Sequence, residues 1–284
     1  MFYRIRKTFQ RFFIPKIDKE KFQFRFAFDS LLKKYQYFPR YKEQKLVFGS
    51  YHLVVPDALS VVHQLREIFI EENLKFIADT AQPVIYDCGA NVGTSVLYFK
   101  KIFPEARINA FEAAKTMIPY LEQNLARNHA SDQVELIPKA VWTSNGYVDF
   151  GSDGADSGSL FYKNNVSKVE SIRLKEWLAN EKQVDFLKLD IEGAESAVIQ
   201  DCNEALLKVK FMFIEYHSFI DKEQELDKIL HTLSRNNFRY ALTTVYAPST
   251  KFDSKKNGSG SMDMILNIYA TNEQFNREKN FFHS

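Results

Sequence analysis

The sequence predicts an α/β fold, a doubly wound and mostly parallel sheet carrying an N-terminal extension. Three observations carry that prediction. The stretch Val84–Ser95 runs from an apolar segment, through a turn holding Gly89 and Gly93, into helical spacing at Val96, Leu97, Phe99 and Ile102. A second strand, Ile108–Glu112, ends on an acid 19 residues beyond Gly93. Apolar strand segments and amphipathic helical segments then keep alternating, the order that builds a parallel sheet.

Composition sets the outer bounds. The 284 residues are 45% hydrophobic and 26% charged, which suits one domain with an extension or two small domains. Charge is uneven: residues 1–45 hold 13 Lys/Arg and 4 Asp/Glu, a basic arm on a mildly acidic body. Two cysteines, Cys88 and Cys202, make no disulfide framework, and a reducing, cytoplasmic setting is expected. No apolar run reaches the roughly 18 residues of a spanning helix. Arg4, Arg6, Lys7 and Arg11 interrupt any secretory signal at the start.

Residues 1–44 mix phenylalanines with basic side chains. Phe22, Phe24, Phe26 and Phe28 fall on every second position, a strand pattern that a helix could also accommodate. This segment either packs its aromatics on the body or on a second subunit, or touches a membrane surface, making the chain membrane-peripheral. Nucleic acid is not expected, since no recognition motif accompanies the charge. Lys45–Pro56 reads as a hairpin turning at Gly49-Ser50, and His63–Phe76 as an amphipathic helix able to close over a ligand.

The glycine turn is the chemical centre. Its spacing is neither the dinucleotide fingerprint nor the P-loop, because no glycine follows Gly89 two places on and no lysine follows Gly93. What stands there is D-x-G-x-N-x-G: Asp87, Gly89, Asn91 and Gly93. Asp87 at the strand tip is expected to accept hydrogen bonds from a cationic or hydroxyl-bearing ligand, directly or through water. The glycines are expected to bring that ligand against bare N–H groups. The motif resembles the first motif of S-adenosylmethionine-dependent methyltransferases. Glu112, at the next strand tip, is placed to accept both hydrogen bonds of a ribose diol.

Pro104 stops the helix after the turn, and Met117–Asn128 gives another helix. Val134–Trp142 reads as the third strand and its exit, with Ala140 and Val141 bordering a flat adenine. Gly146–Phe150 is a hairpin strand, and Gly151–Ser159 a glycine-rich candidate substrate loop. Ser171–Ala179 is a strand end with a short helix. Val184–Glu195 is the fourth strand and a polar turn, with Asp190 at its tip; helix capping is the competing role for Asp190 or Glu192. Lys210–His217 is the fifth strand, whose two-residue period sets Phe213, Glu215 and His217 on one face. Asp221–Asn236 is a helix. Phe238–Ala247 and Met262–Ala270 are closing strands around a Gly/Ser/Lys loop. Residues 45–270 form the main domain and 271–284 a polar tail.

Asp-Cys-Gly-Ala-Asn-Val-Gly at 87–93, Phe-Glu at 111–112, Lys-Leu-Asp-Ile-Glu-Gly-Ala-Glu at 188–195 and Ile-Glu-Tyr-His at 214–217, in this order, resemble the FkbM-type methyltransferases. The resemblance covers about residues 65–245. It implies the seven-stranded methyltransferase sheet with one antiparallel strand, S-adenosylmethionine as cofactor, and O-methylation of a hydroxyl on a sugar, glycan or small metabolite. Ala113-Ala114-Lys115 depart from the proline many members carry after Phe-Glu. Asp190, Glu215 and His217 are the expected base and orienting groups, with His217 favoured as the base. The same three groups could hold a metal, but no ligand spacing asks for one. The competing readings are a catalytically silent scaffold with the same sheet and an enzyme using another adenine nucleotide.

Overall fold

The computed structural model describes residues 19–152, 158–159, 167–220, 222–247 and 262–275. The expectations for residues 1–18, for the loop at 248–261, for most of the Gly151–Ser159 loop and for residues 276–284 of the tail fall outside them.

The first described element is α1 (Lys19–Tyr35), so the alternating phenylalanines lie on a helix. Its Phe24 ring stacks on Phe48 at 4.9 Å and meets Phe69 edge-on at 5.4 Å. The hairpin forms as β1 (Gln44–Phe48) and β2 (Tyr51–Val55), with Gly49 at φ 58° in the turn. The following helix differs from the expected His63–Phe76. It begins at Ala58 as α2 (Ala58–Leu65), where the Asp57 carboxylate accepts from the Leu59 and Ser60 N–H groups. It ends in one π turn, Arg66–Ile70, and residues 71–76 leave helical geometry.

The main sheet contains β3 (Val84–Cys88), β4 (Arg107–Phe111), β5 (Val134–Ile137), β10 (Val184–Leu189), β11 (Val209–Phe219), β12 (Phe238–Tyr246) and β13 (Met262–Asn272). Their order is β12-β13-β11-β10-β3-β4-β5, and β13 alone runs antiparallel to its neighbours. The chain winds outward from β3 through α3 (Thr94–Ile102), β4, α4 (Ile118–Arg127) and β5, then returns to the other side of β3. The resulting switch point lies between β3 and β10, where open α/β sheets bind ligands.

The third strand occupies Val134–Ile137 and the rest of Val134–Trp142 is its exit, as read. Pro138 cannot donate to a ladder, and β6 (Ala140–Trp142) leaves the main sheet for a small second one. There it pairs with β9 (Ser167–Arg173), which also pairs with β7 (Gly146–Ser152); β8 (Gly158–Ser159) pairs with β7. The other helices are α5 (Leu174–Asn180), α6 (Glu195–Cys202) and α7 (Leu226–Arg235), the last shorter than the expected Asp221–Asn236. The closing strand extends to Asn272, past the expected Ala270.

Pleat alternation sorts the sheet into two faces. Ile85, Phe186 and Phe213 join the core with α1, α2, α3 and α4, while Tyr86, Leu187 and Ile214 join the core with α5, α6 and α7. Continuing by two residues, Asp87, Lys188 and Glu215 fall on the first face. Polar side chains at the strand tips therefore collect beneath α2 and the π turn.

Candidate active site

A cavity of about 410 Å³ opens over the C-terminal ends of β11, β10, β3 and β4. Its floor comes from Gly89–Asn91, Glu112, Lys188, Asp190, Glu192, Glu215 and His217, and its roof from α2 and the π turn, including His63, Gln64, Glu67 and Ile68. Ala140 and Val141 line one end, beside Ala113 and Phe150. The volume falls in the usual range for a small-molecule site.

The glycine turn is held in place from both sides. Gly89 has φ 91°, and a Cβ there would lie 1.9 Å from the Asp190 carbonyl oxygen. Only glycine lets the β3 and β10 loops approach so closely. Gly93 has φ 93° and caps α3; a Cβ there would press on Leu121 at 2.7 Å. The buried Asn124 side chain donates to the Val92 carbonyl (2.9 Å) and the Val54 carbonyl (3.1 Å), fastening the turn to β2.

The N–H groups of the turn are not bare, contrary to the sequence expectation. Gly89 and Ala90 N–H both donate to the Phe111 carbonyl at 3.0 and 2.9 Å, and Gly93 N–H to the Ala90 carbonyl at 2.9 Å. Asn91 N–H donates to Glu112 Oε2 at 2.8 Å, and Val92 N–H to Asn91 Oδ1 at 2.7 Å. The loop has spent its donors from Gly89 to Gly93 within the chain and offers no anion nest there.

Asp87 also sits differently from the expectation. It is fully buried and does not line the cavity. Its Oδ2 accepts from Ser95 Oγ at 2.5 Å, and its Oδ1 lies 3.3 Å from Lys188 Nζ. Lys188 also lies 3.2 Å from Asp190 Oδ2 and donates to the Gly89 carbonyl at 2.8 Å. Burial disfavours its charge, but the Asp190 and Asp87 carboxylates outweigh burial and hold its pKa above the ordinary lysine value. Lys188 thus clamps the two central loops. A lysine amid the apolar run of β10 was the available signal in the sequence.

Glu112 is where its spacing placed it. Its oxygens accept from Asn91 N–H and Ala114 N–H, at 2.8 and 2.7 Å, and it faces the cavity. Burial raises its pKa against the opposing pull of those two hydrogen bonds. Each carboxylate oxygen keeps a further acceptor site.

Asp190, Glu215 and His217 do come together, in a larger cluster than expected. His217 Nε2 is 3.3 Å from Glu215 Oε1 and 3.8 Å from Glu192 Oε2, and Nδ1 is 3.1 Å from Glu195 Oε1. Burial lowers the His217 pKa, but Glu192, Glu195 and Glu215 together raise it well above the ordinary histidine value. The surrounding carboxylates thus favour the protonated imidazole, the form that donates to carboxylates, over the neutral ring that a base requires.

Glu195 explains the cluster's shape. It is fully buried, accepts from Ile191 and Gly193 N–H at 3.1 and 3.0 Å, and grips His217. Neither Asp190 nor Glu192 caps α6, whose cap position is Ala194. Glu192 stands at φ 57° beside Gly193 at φ 105°, a tight left-handed turn that aims its carboxylate into the cavity. Burial and the Asp190, Glu215 and Glu195 charges hold Glu192 above the usual carboxylate range, with His217 opposing. Asp190, Glu192 and His217 each offer one atom within 4.8 Å of the others, a spacing that an ion could bridge.

Glu67 was not singled out from the sequence. It stands on the π turn and faces the same cavity. Burial, helped by Glu215, Glu71 and Asp190, pushes its carboxyl up to about 7. By ordinary helical spacing Glu67 falls on the polar side, opposite Val61 and Leu65, so periodicity carried no signal for it before the π turn shifts the register.

The sequence pattern described as "Methyltransferase FkbM domain" matches residues 87–240. The 2-O-methyltransferase NoeI of Sinorhizobium fredii is 26% identical over 199 residues, covering 62% of this chain and 81% of that protein. Methyltransferase sdnD of Sordaria araneosa is 26% identical over 176 residues, covering 49% of this chain and 68% of that one. Among solved structures, a SAM-dependent methyltransferase from Agrobacterium tumefaciens shares the fold at a TM-score of 0.51 and 11% identity, over 80% of this chain and 70% of that one. With the family pattern spanning more than half its length, the chain belongs to the FkbM methyltransferase family.

Proposed function

We propose that the chain transfers a methyl group from S-adenosylmethionine to a hydroxyl oxygen of a sugar, glycan or related small metabolite. One observation carries the cofactor choice. The loop from Gly89 to Gly93 keeps no backbone donor for a phosphate, while a carboxylate, Glu112, faces the cavity beside it. That arrangement disfavours a nucleotide polyphosphate and suits a nucleoside bearing a cationic sulfur.

S-adenosylmethionine supplies a methyl already activated on sulfonium. Glu112 accepts from the ribose hydroxyls. Ala140 and Val141, with Phe150, border the adenine. Asp87 acts from behind the cavity, by holding Lys188 and Ser95. Asp190 and Glu215 face the acceptor end. There they would orient the hydroxyl oxygen toward the activated methyl group that the bound cofactor would supply. The hydroxyl proton goes to Glu67, whose carboxyl titrates near 7. His217, its pKa raised by its neighbours, orients Glu215 and balances the carboxylates around it. The name of the 2-O-methyltransferase NoeI supports oxygen as the methylated atom.

The test is mass spectrometry of glycans and small metabolites from cells with and without the protein. A methyl ether present only with the protein supports the proposal. Transfer to nitrogen or carbon in its place contradicts the hydroxyl acceptor.

A further inference from the structure

We propose that the outer face of α1 docks the protein on an anionic membrane surface. The helix turns Phe24 and Tyr35 inward, where both are buried. Outward it presents Phe22 and Phe26, one turn apart and 64% and 72% exposed. Lys19, Arg25, Lys33 and Lys34 are exposed on the same helix, outnumbering its exposed acids Glu20, which pairs with Lys101, and Asp29. Such a pairing, aromatic side chains flanked by cations on one amphipathic helix, is the pattern that sits at a headgroup boundary. The adjoining sequence continues it: residues 1–18 hold five basic residues, one acidic residue and five aromatics.

Two features make α1 a rigid platform. Phe24 is wedged against Phe48 and Phe69, and ion pairs join Lys21 to Glu72 at 3.1 Å and Glu20 to Lys101 at 3.0 Å. The inner side of α1 rests on α2 and the π turn, the elements that roof the cavity. Docking through the outer side therefore brings the roof of the site close to lipid, which suits an acceptor carried on a lipid.

The charge pattern selects among occupants. A second copy meeting this face about a two-fold axis would bring together two helices that each expose four cations against the two acids Glu20 and Asp29, a balance that stays repulsive. A nucleic-acid duplex would meet the cations but has no apolar layer for two phenylalanines. An anionic bilayer satisfies both.

The experiment is flotation of the full chain with phosphatidylcholine vesicles and with vesicles that also contain phosphatidylglycerol. Flotation is expected with the anionic vesicles only, and is expected to fall as salt rises. The double variant Phe22→Asp/Phe26→Asp, at exposed positions, is expected to bind about tenfold or more weakly with an unchanged melting temperature. Four results would each overturn the proposal. These are no flotation of the full chain, equal flotation on neutral vesicles, unaltered binding by the double variant, and a dimer in sedimentation that this variant dissolves without any vesicle binding. An oligonucleotide that binds the double variant as well as the wild type and displaces vesicles would replace lipid with nucleic acid. Methyl transfer is not read in this test, so its outcome is separate from that of the proposed reaction.

Discussion

Lys188 on β10 reaches Asp87 on β3, Nζ to Oδ1 3.3 Å, and both side chains are buried. The pair crosses the switch point of the sheet, directly beneath the cavity. Removing the ammonium leaves Asp87 as an uncompensated buried charge, which costs more than the pair contributes. Lys188→Met is expected to lower stability by roughly 3–5 kcal/mol in urea unfolding. Adding Asp87→Asn is expected to restore part of that loss. Additive losses in the double variant would mean the two residues act independently.

Gly89 packs directly against the backbone of Asp190. Gly89→Ala faces both a left-handed φ and the Asp190 carbonyl. A destabilisation of about 3 kcal/mol or more is expected, with loss of cofactor binding in a fluorescence titration. Wild-type stability in this variant would show that the two loops are free to separate.

Glu67 sets a pH expectation for activity. Its carboxylate form accumulates as pH rises through about 7, so the rate is expected to climb across that point. Glu67→Gln is expected to lose about 10²–10⁴-fold in rate, along with that limb of the profile. An unchanged pH profile in the variant would move the base elsewhere.

The same group gives a stability expectation of defined sign. Its folded pKa stands above the unfolded value, so the folded state holds more protons between about 4.5 and about 7. Its stabilising contribution is present below that window and fades as pH rises through it. Glu67→Gln is expected to gain roughly 1–3 kcal/mol relative to wild type at pH 8 over pH 5, allowing for solvent at its half-buried carboxyl. Chemical denaturation at the two pH values reads the difference.

Sequence patterning exposed the sheet because its physics is local. The apolar runs of β3 and β10, the glycines at positive φ and the acid ending β4 each leave a mark within a few residues. The tip residues Glu112, Asp190, Glu215 and His217 were legible for the same reason. What stayed hidden depends on contacts between distant segments. The Asp87 carboxylate points to Lys188 rather than to the cavity because two parallel strands meet there in a register no single segment encodes. The carboxylates that raise the His217 pKa include Glu192 and Glu195, which arrive from the turn after β10 and the start of α6. Glu67 enters the site through one π turn, a shift that ordinary helical periodicity hides. Pro138 was readable as a strand end and shows why β6 leaves the main sheet.

The most direct test is calorimetric titration of wild type and Glu112→Ala with S-adenosylmethionine and, separately, with ATP. One S-adenosylmethionine site is expected in the wild type, weakened about 10–100-fold by Glu112→Ala through loss of charge-assisted hydrogen bonds to the ribose, with no comparable ATP binding. Absence of S-adenosylmethionine binding, tighter binding of ATP, or an unchanged affinity in Glu112→Ala would contradict a cavity built for the methyl donor.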